Sequence, residues 1–357
     1  MKKIFIAATK ENDGKTTIAL GLLLNLKEKF KKIAFFKPIG QRYVEETGYA
    51  VSKDSFLIEK VCKFRTKPIY MNPLIVKRGF TKKYIQNPNK EKITKKILQA
   101  FRKISNNKDV VIIEGTGHAG VGAVFEHSNA HVARLLDAEV IIVSSGGLGR
   151  PIDEVFLNYN LFKHLGVKVK GVIINKVLRE KIEELKPLLE DGLKRLGINL
   201  YGVIPYYPQL SIPTVSQIYE ATNYEVITGR ENMNREVKNI IVGAMTPHDI
   251  LSVIKEGSLI ITPGDRDDII LATLSSQSTG IEIAGIILTQ EIMPHFRILS
   301  LLKRTKIPVL LAKEDTFLVA TRIHDINVKI RYQDKEKIEI IKSMIREFIN
   351  IDEIIGG

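Results

Sequence analysis

Gly14-Lys15-Thr16-Thr17 follows an apolar run, Lys3–Ala7, and opens an amphipathic stretch, Lys15–Phe30. Those residue types at a strand-to-helix turn suit a chain of phosphates. Backbone N–H groups across Thr9, Lys10, Glu11, Asn12, Asp13, Gly14 and the helix start, through Thr17, can point at phosphate oxygens. The Lys15 ammonium can reach the terminal phosphates, and the Thr16 hydroxyl can ligate Mg²⁺. A second apolar run from Asp109 ends in Glu114 and the turn Gly115-Thr116-Gly117-His118. Ligands of open α/β sheets sit at the carboxyl ends of strands, so Glu114 stands where a Mg²⁺ carboxylate is needed. A strand-end carboxylate in water is the plain alternative; Lys15 and Thr16 tip the balance toward the metal.

The elements that must hold these residues alternate along the chain. Apolar runs at Lys3–Ala7, Ile33–Phe36, Val110–Ile113, Val140–Val143, Val169–Ile174 and Tyr201–Ile204 read as parallel strands covered on both faces. Amphipathic stretches of helical length lie between them, which predicts a doubly wound, mostly parallel α/β sheet. The prolines of Pro205-Tyr206-Tyr207-Pro208 mark a domain edge. Beyond it the rhythm restarts with strands at Glu225–Thr228, Asn239–Ala244, Ser258–Thr262, Glu282–Leu288 and Pro308–Leu311, and a last helix at Lys335–Phe348. The expected organisation is residues 1–208 as a P-loop nucleotide-binding domain, and 209–357 as a smaller α/β domain that includes the last helix.

The turn departs from the common Gly-x-x-x-x-Gly-Lys-[Ser/Thr] pattern, because Thr9 replaces the first glycine. Lys10, five residues before Lys15, gives a loop that resembles the deviant Walker A turn of the MinD/ParA class of ATPases. That resemblance implies a lysine reaching nucleotide phosphates, often across a homodimer interface. Three segments resemble dethiobiotin synthetase: Ala8-Thr9 to Thr16, Phe36-Lys37-Pro38-Ile39-Gly40, and Glu114-Gly115-Thr116-Gly117. Here Ala8 stands for that family's glycine. The resemblance implies Asp54 as a second metal carboxylate, Lys37 at the carboxylation site, and Asn175 and Pro205 at the strand ends that recognise the base. It also implies catalytic roles for Lys10, Lys15 and Lys37, with ATP and Mg²⁺ as cofactors. The likeness is greatest to the dethiobiotin-synthetase-like N-terminal domain of long bacterial phosphate acetyltransferases.

The second half resembles the DRTGG domain that follows in those enzymes, through Val242-Gly-Ala-Met-Thr246, Thr262-Pro263-Gly264-Asp265-Arg266 and Gly285-Ile-Ile-Leu-Thr289. Its naming motif is only half kept. Gly264 permits a tight turn, Asp265 can cap the next helix, and Arg266 can bind an anion with both arms of its fork. An Arg266 pair with Asp267 or Asp268 explains the same residues equally well. Asp315-Thr316 reads as a helix cap.

The net charge of +14 permits a nucleic-acid partner, but the lysines are scattered among glutamates and form no block, so that function ranks last. A single cysteine excludes a disulfide framework and suits a reducing cytoplasm. No apolar run approaches the ~20 residues that span a bilayer. Two functions remain. One is an ATP- and Mg²⁺-binding regulatory or sensory protein of the phosphate-acetyltransferase N-terminal type, itself expected to lack the acetyltransferase catalytic domain, acting through its own dimer or on an acyl-transfer enzyme partner. The other is an ATP-dependent ligase resembling dethiobiotin synthetase. No water-orienting residue for hydrolysis stands out; His118 and Asp54 are both candidates.

Overall fold

The computed structural model describes residues 1–46, 48–64 and 66–356, in two compact units. Unit 1 comprises Met1–Tyr207 together with Ile330–Gly357, and unit 2 comprises Pro208–Lys329.

Unit 1 is built on a 6-stranded parallel sheet of β1 (Lys2–Ala8), β2 (Ile33–Phe36), β3 (Val110–Glu114), β4 (Glu139–Ser145), β5 (Val169–Val177) and β6 (Leu200–Pro205). The spatial order is β6-β5-β4-β1-β3-β2. Its strands are fully buried over most of their length, as continuous apolar runs require when helices cover both faces. Helix α1 (Lys15–Lys29) leaves directly from the turn after β1, and helix α2 (Lys53–Cys62) starts at Ser52, whose hydroxyl oxygen accepts from the Ser55 N–H. Between β2 and α2 the chain makes a hairpin, Tyr43–Glu46 with Tyr49–Ser52, that the alternation of long elements did not foretell.

Unit 2 has a 5-stranded sheet of β7 (Glu225–Thr228), β8 (Asn239–Val242), β9 (Ser258–Pro263), β10 (Gly285–Thr289) and β11 (Val309–Leu311), in the order β7-β11-β10-β9-β8. Only β7 runs antiparallel. Both faces are packed: Ile260, Ile286 and Leu288 join one core, while their neighbours Leu259, Ile261 and Ile287 join the other.

One expectation is corrected. The helix Lys335–Phe348 forms where the sequence places it, but it belongs to unit 1 rather than to the second domain. It packs on α1 and β6. Gly21 makes the approach close, since a Cβ there would lie 2.3 Å from Ile345 Cγ1. The Asn25 amide donates to the Lys342 carbonyl at 3.0 Å, and Arg346 Nε donates to Asn25 Oδ1 at 3.0 Å. The physical reason is that an amphipathic pattern announces a face to be buried and is silent on which core receives it.

Cys62, at the end of α2, is 1% exposed, and burial pushes its thiol up to about 12. It is therefore protonated at neutral pH, and reaction requires the thiolate. The native protein is expected to resist iodoacetamide at pH 7.5 and to be labelled only in denaturant. Rapid labelling of the native protein would contradict this packing.

Candidate functional site

The turn between β1 and α1 is braced by its own carboxylate. Asp13 is fully buried, and its Oδ2 accepts from the Thr9 hydroxyl at 2.8 Å and from the Lys10 N–H at 2.9 Å. Its Oδ1 accepts from the Ser145 hydroxyl at 2.7 Å. Gly14 adopts φ 102°, and a Cβ there would lie 2.3 Å from Asn175 Nδ2. Glycine meets both demands at once. Thr9 avoids positive φ, which is how it replaces a glycine, whereas Asn12 takes φ 68°, a conformation asparagine tolerates.

Lys15 is 8% exposed and lies under the turn, with Nζ donating to the Lys10 carbonyl at 3.3 Å. Burial pulls its pKa below the ordinary value, against the pull of Glu114. The Thr16 hydroxyl donates to Glu114 Oε1 at 2.9 Å. Lys37, 4% exposed, donates to the same oxygen at 2.6 Å and bridges to Asp54 Oδ2 at 2.8 Å. Burial works to lower the Lys37 pKa, but Asp54 and Glu114 together hold it above lysine's usual range. Glu114 is pushed up by burial, with Lys37 opposing.

The structure thus brings Lys15, Thr16, Lys37, Asp54 and Glu114 into one cluster at the carboxyl end of the sheet. Glu114 Oε2 is buried and has no hydrogen-bond partner. No group of three or more His, Cys, Asp or Glu side chains among the described residues could hold a metal ion. A carboxylate pair beside a hydroxyl suits Mg²⁺, which takes one or two carboxylates and completes its shell with water and substrate phosphates. The residues present fit that ion.

The remaining predicted residues lie around this cluster in different roles. Lys10 Nζ is 3.7 Å from Glu154 Oε1. Glu11 and Asn12 are exposed, and the Asn12 carbonyl accepts from Lys176 Nζ at 2.7 Å. Thr17 is half-buried in the first turn of α1. The Asn175 amide donates to the Asp13 carbonyl at 2.8 Å, so it props the turn. Pro205 ends β6 opposite Val177. His118 is exposed.

Sequence reasoning missed Ser144, Ser145, Lys176 and Glu154. The serines end β4, so the strand-end rule that found Glu114 could have found them. Glu154 lies on the helix Gly149–His164, where no motif marks it. Its carboxylate is 3.1 Å from the Thr9 hydroxyl and 2.7 Å from Arg150 Nε. Burial works to raise its pKa, and Arg150, Thr9 and Lys10 outweigh that.

In unit 2 the Arg266 alternatives resolve toward the ion pair. Arg266 Nε and Nη2 donate to the two Asp268 oxygens at 2.8 and 2.9 Å, and its nitrogens also reach the Gly243 and Met245 carbonyls. The helix Asp267–Ser278 has Arg266 at its N-cap and no side-chain cap, so the capping role expected of Asp265 is not found. Acidic residues in the first turn, Asp267 and Asp268, meet the positive helix end instead. Asp315 does cap its helix, accepting from the Leu318 N–H at 2.9 Å.

A parallel α/β sheet with this turn at the carboxyl end of its first strand defines a P-loop NTPase fold. The chain belongs to the AAA_26 (AAA domain) family, which matches residues 2–214, and the DRTGG domain matches residues 217–326. It is similar to the phosphate acetyltransferase of Pseudomonas putida, 30% identical over 368 residues, covering 98% of this chain and 51% of that protein. The phosphate acetyltransferase of Pseudomonas aeruginosa is 30% identical over 378 residues, covering 99% of this chain and 51% of the relative. The chain spans about half the length of the curated relatives it matches, namely their N-terminal part. Among solved structures, the septum site-determining protein MinD of Pyrococcus horikoshii, complexed with Mg-ADP, matches 58% of this chain and 83% of its own at 16% identity, with a TM-score of 0.38.

Proposed function

We propose that unit 1 binds ATP with Mg²⁺ and that nucleotide occupancy serves a regulatory or sensory role. The observation that carries this reading is the cluster at the start of α1. It places the Lys15 ammonium, the Thr16 hydroxyl and the half-partnered Glu114 carboxylate together at the end of a helix suited to anions. Lys15 would neutralise the terminal phosphates, and Thr16, Asp54 and Glu114 would hold the ion. Bound Mg²⁺ would supply neutralisation of the nucleotide's phosphate charge. As the family resemblance implies, Asn175 and Pro205 would flank the base, and Lys10 would reach phosphates across a homodimer interface. The regulated partner that fits the relatives is an acyl-transfer enzyme of the phosphate acetyltransferase type. The ligase reading receives less support, since Lys37 is held between two carboxylates.

Calorimetry with ATP and MgCl₂ tests the reading. The unmodified protein is expected to bind, and Lys15→Ala to bind at least about 30-fold more weakly, corresponding to ~2 kcal/mol for a lost charge-assisted contact. Equal binding by the two proteins, or none by either, would sink the proposal. Adding the protein to a phosphate acetyltransferase and following acetyl-phosphate formation, with and without ATP, tests the regulatory half; an unchanged rate would count against it.

A further inference from the structure

We propose that Lys37 is an internal cation that occupies the divalent-metal position of this site until a nucleotide arrives, so that metal binding is conditional on nucleotide. The inference rests on the nucleotide reading above and deepens it. Its basis is the arrangement of donors around the two carboxylates. One ammonium, Lys37 Nζ, touches Asp54 Oδ2 at 2.8 Å and Glu114 Oε1 at 2.6 Å. A divalent ion would use the same two carboxylates and the Thr16 hydroxyl. Glu114 Oε1 already takes two donors, Thr16 and Lys37, while the buried Oε2 takes none. A carboxylate so unevenly served is complete as an anion yet open to one more ligand.

Charge decides the order of events. Asp54 and Glu114 bring two negative charges, and Lys37 and Lys15 bring two positive ones. Lys15 senses both Glu114 and Lys37. The buried cluster is therefore balanced as it stands, and a bare divalent ion would meet two ammonium groups in a site of low polarisability. Nucleotide phosphates reverse this balance. Lys37 can then exchange carboxylate oxygens for phosphate oxygens, and both carboxylates become available together. A pair of buried carboxylates without Lys37 would instead attract a cation at once.

The test is Mn²⁺ alone, titrated into nucleotide-free protein and followed by the loss of its free-ion electron paramagnetic resonance signal. The unmodified protein is expected to bind at least tenfold more weakly than Lys37→Met. Lys37→Arg, which keeps the positive charge, should stay close to the unmodified protein, and Lys37→Met combined with Asp54→Asn should lose the gained affinity. Resistance of Cys62 to iodoacetamide reports that each variant is folded; where Lys37→Met fails that check, Lys37→Gln, which still donates to a carboxylate, takes its place. Equal Mn²⁺ affinity with and without Lys37, whether tight or weak, overturns the proposal. Absence of ATP binding in calorimetry would instead overturn the nucleotide reading, and the Mn²⁺ comparison can be read without it.

Discussion

A chain ended at Lys329 is expected to lose the folded state of unit 1, although every strand of its sheet is still present. The last segment buries Ile338, Ile341, Met344 and Ile345 from one helix, then Ile349, Ile351, Ile354 and Ile355. Burying a side chain of this size is worth about 1.5–3 kcal/mol. Their sum, about 12–24 kcal/mol, is as large as or larger than the ~5–15 kcal/mol by which whole domains are stable. Removal would also strip Asn25 of Lys342 and Arg346, leaving it the Gly21 carbonyl, and leave Gly21 as an open notch in α1. Circular dichroism and Cys62 labelling check this: the truncated chain should be labelled without denaturant. Residues 1–207 joined by a short flexible linker to 330–357 should regain protection, because the joined chain contains all of unit 1. A truncated chain that stayed folded and unlabelled would show the last helix to be dispensable.

The second large effect concerns unit 2. Gly264→Ala is expected to destabilise that unit by at least ~3 kcal/mol. A Cβ at this position would lie 1.8 Å from the Ile292 carbonyl oxygen and 2.5 Å from its carbon. The obstacle is backbone rather than a flexible side-chain end, so relief requires the turn after β9 to move away from the one after β10. Overpacking of a well-packed site costs about 1–3 kcal/mol even where side chains can yield. Thermal unfolding followed by hydrogen exchange should show lost protection in β9 and β10 and little change in β1 or β3. An unaltered exchange pattern would contradict the close approach. Because Arg266 is spent on Asp268 and on the Gly243 and Met245 carbonyls, it ties this same turn to the segment after β8.

Much of this molecule is legible in the sequence. The strands were visible because a parallel strand buried on both faces is a run of apolar residues, as in Val110–Glu114 and Glu139–Ser145. The hairpin of Tyr43–Glu46 and Tyr49–Ser52 was not, because each strand is only four residues long and mixes polar with apolar side chains. Lys15, Thr16 and Glu114 could be read because their spacing follows from where a strand ends and a helix begins. Glu154 could not, since only the fold carries its helix to the side of Thr9. The destination of the last helix was hidden for a related reason. Its pattern is the same whichever core accepts it, and the insertion of a whole unit ahead of it separates partners such as Asn25 and Arg346 along the chain.

That insertion has a consequence in time. During synthesis the ribosome completes β6 and then must make all of unit 2 before Ile338 or Ile345 can reach α1. At about 5–20 residues per second, that interval is roughly seven seconds to half a minute. Throughout it unit 1 has its strands but not its last cover, and apolar surface on α1 and β6 stays open to water. Unit 2 has no such wait, since Pro208–Lys329 is continuous. The second unit along the chain is therefore expected to finish folding first, and the nucleotide site last.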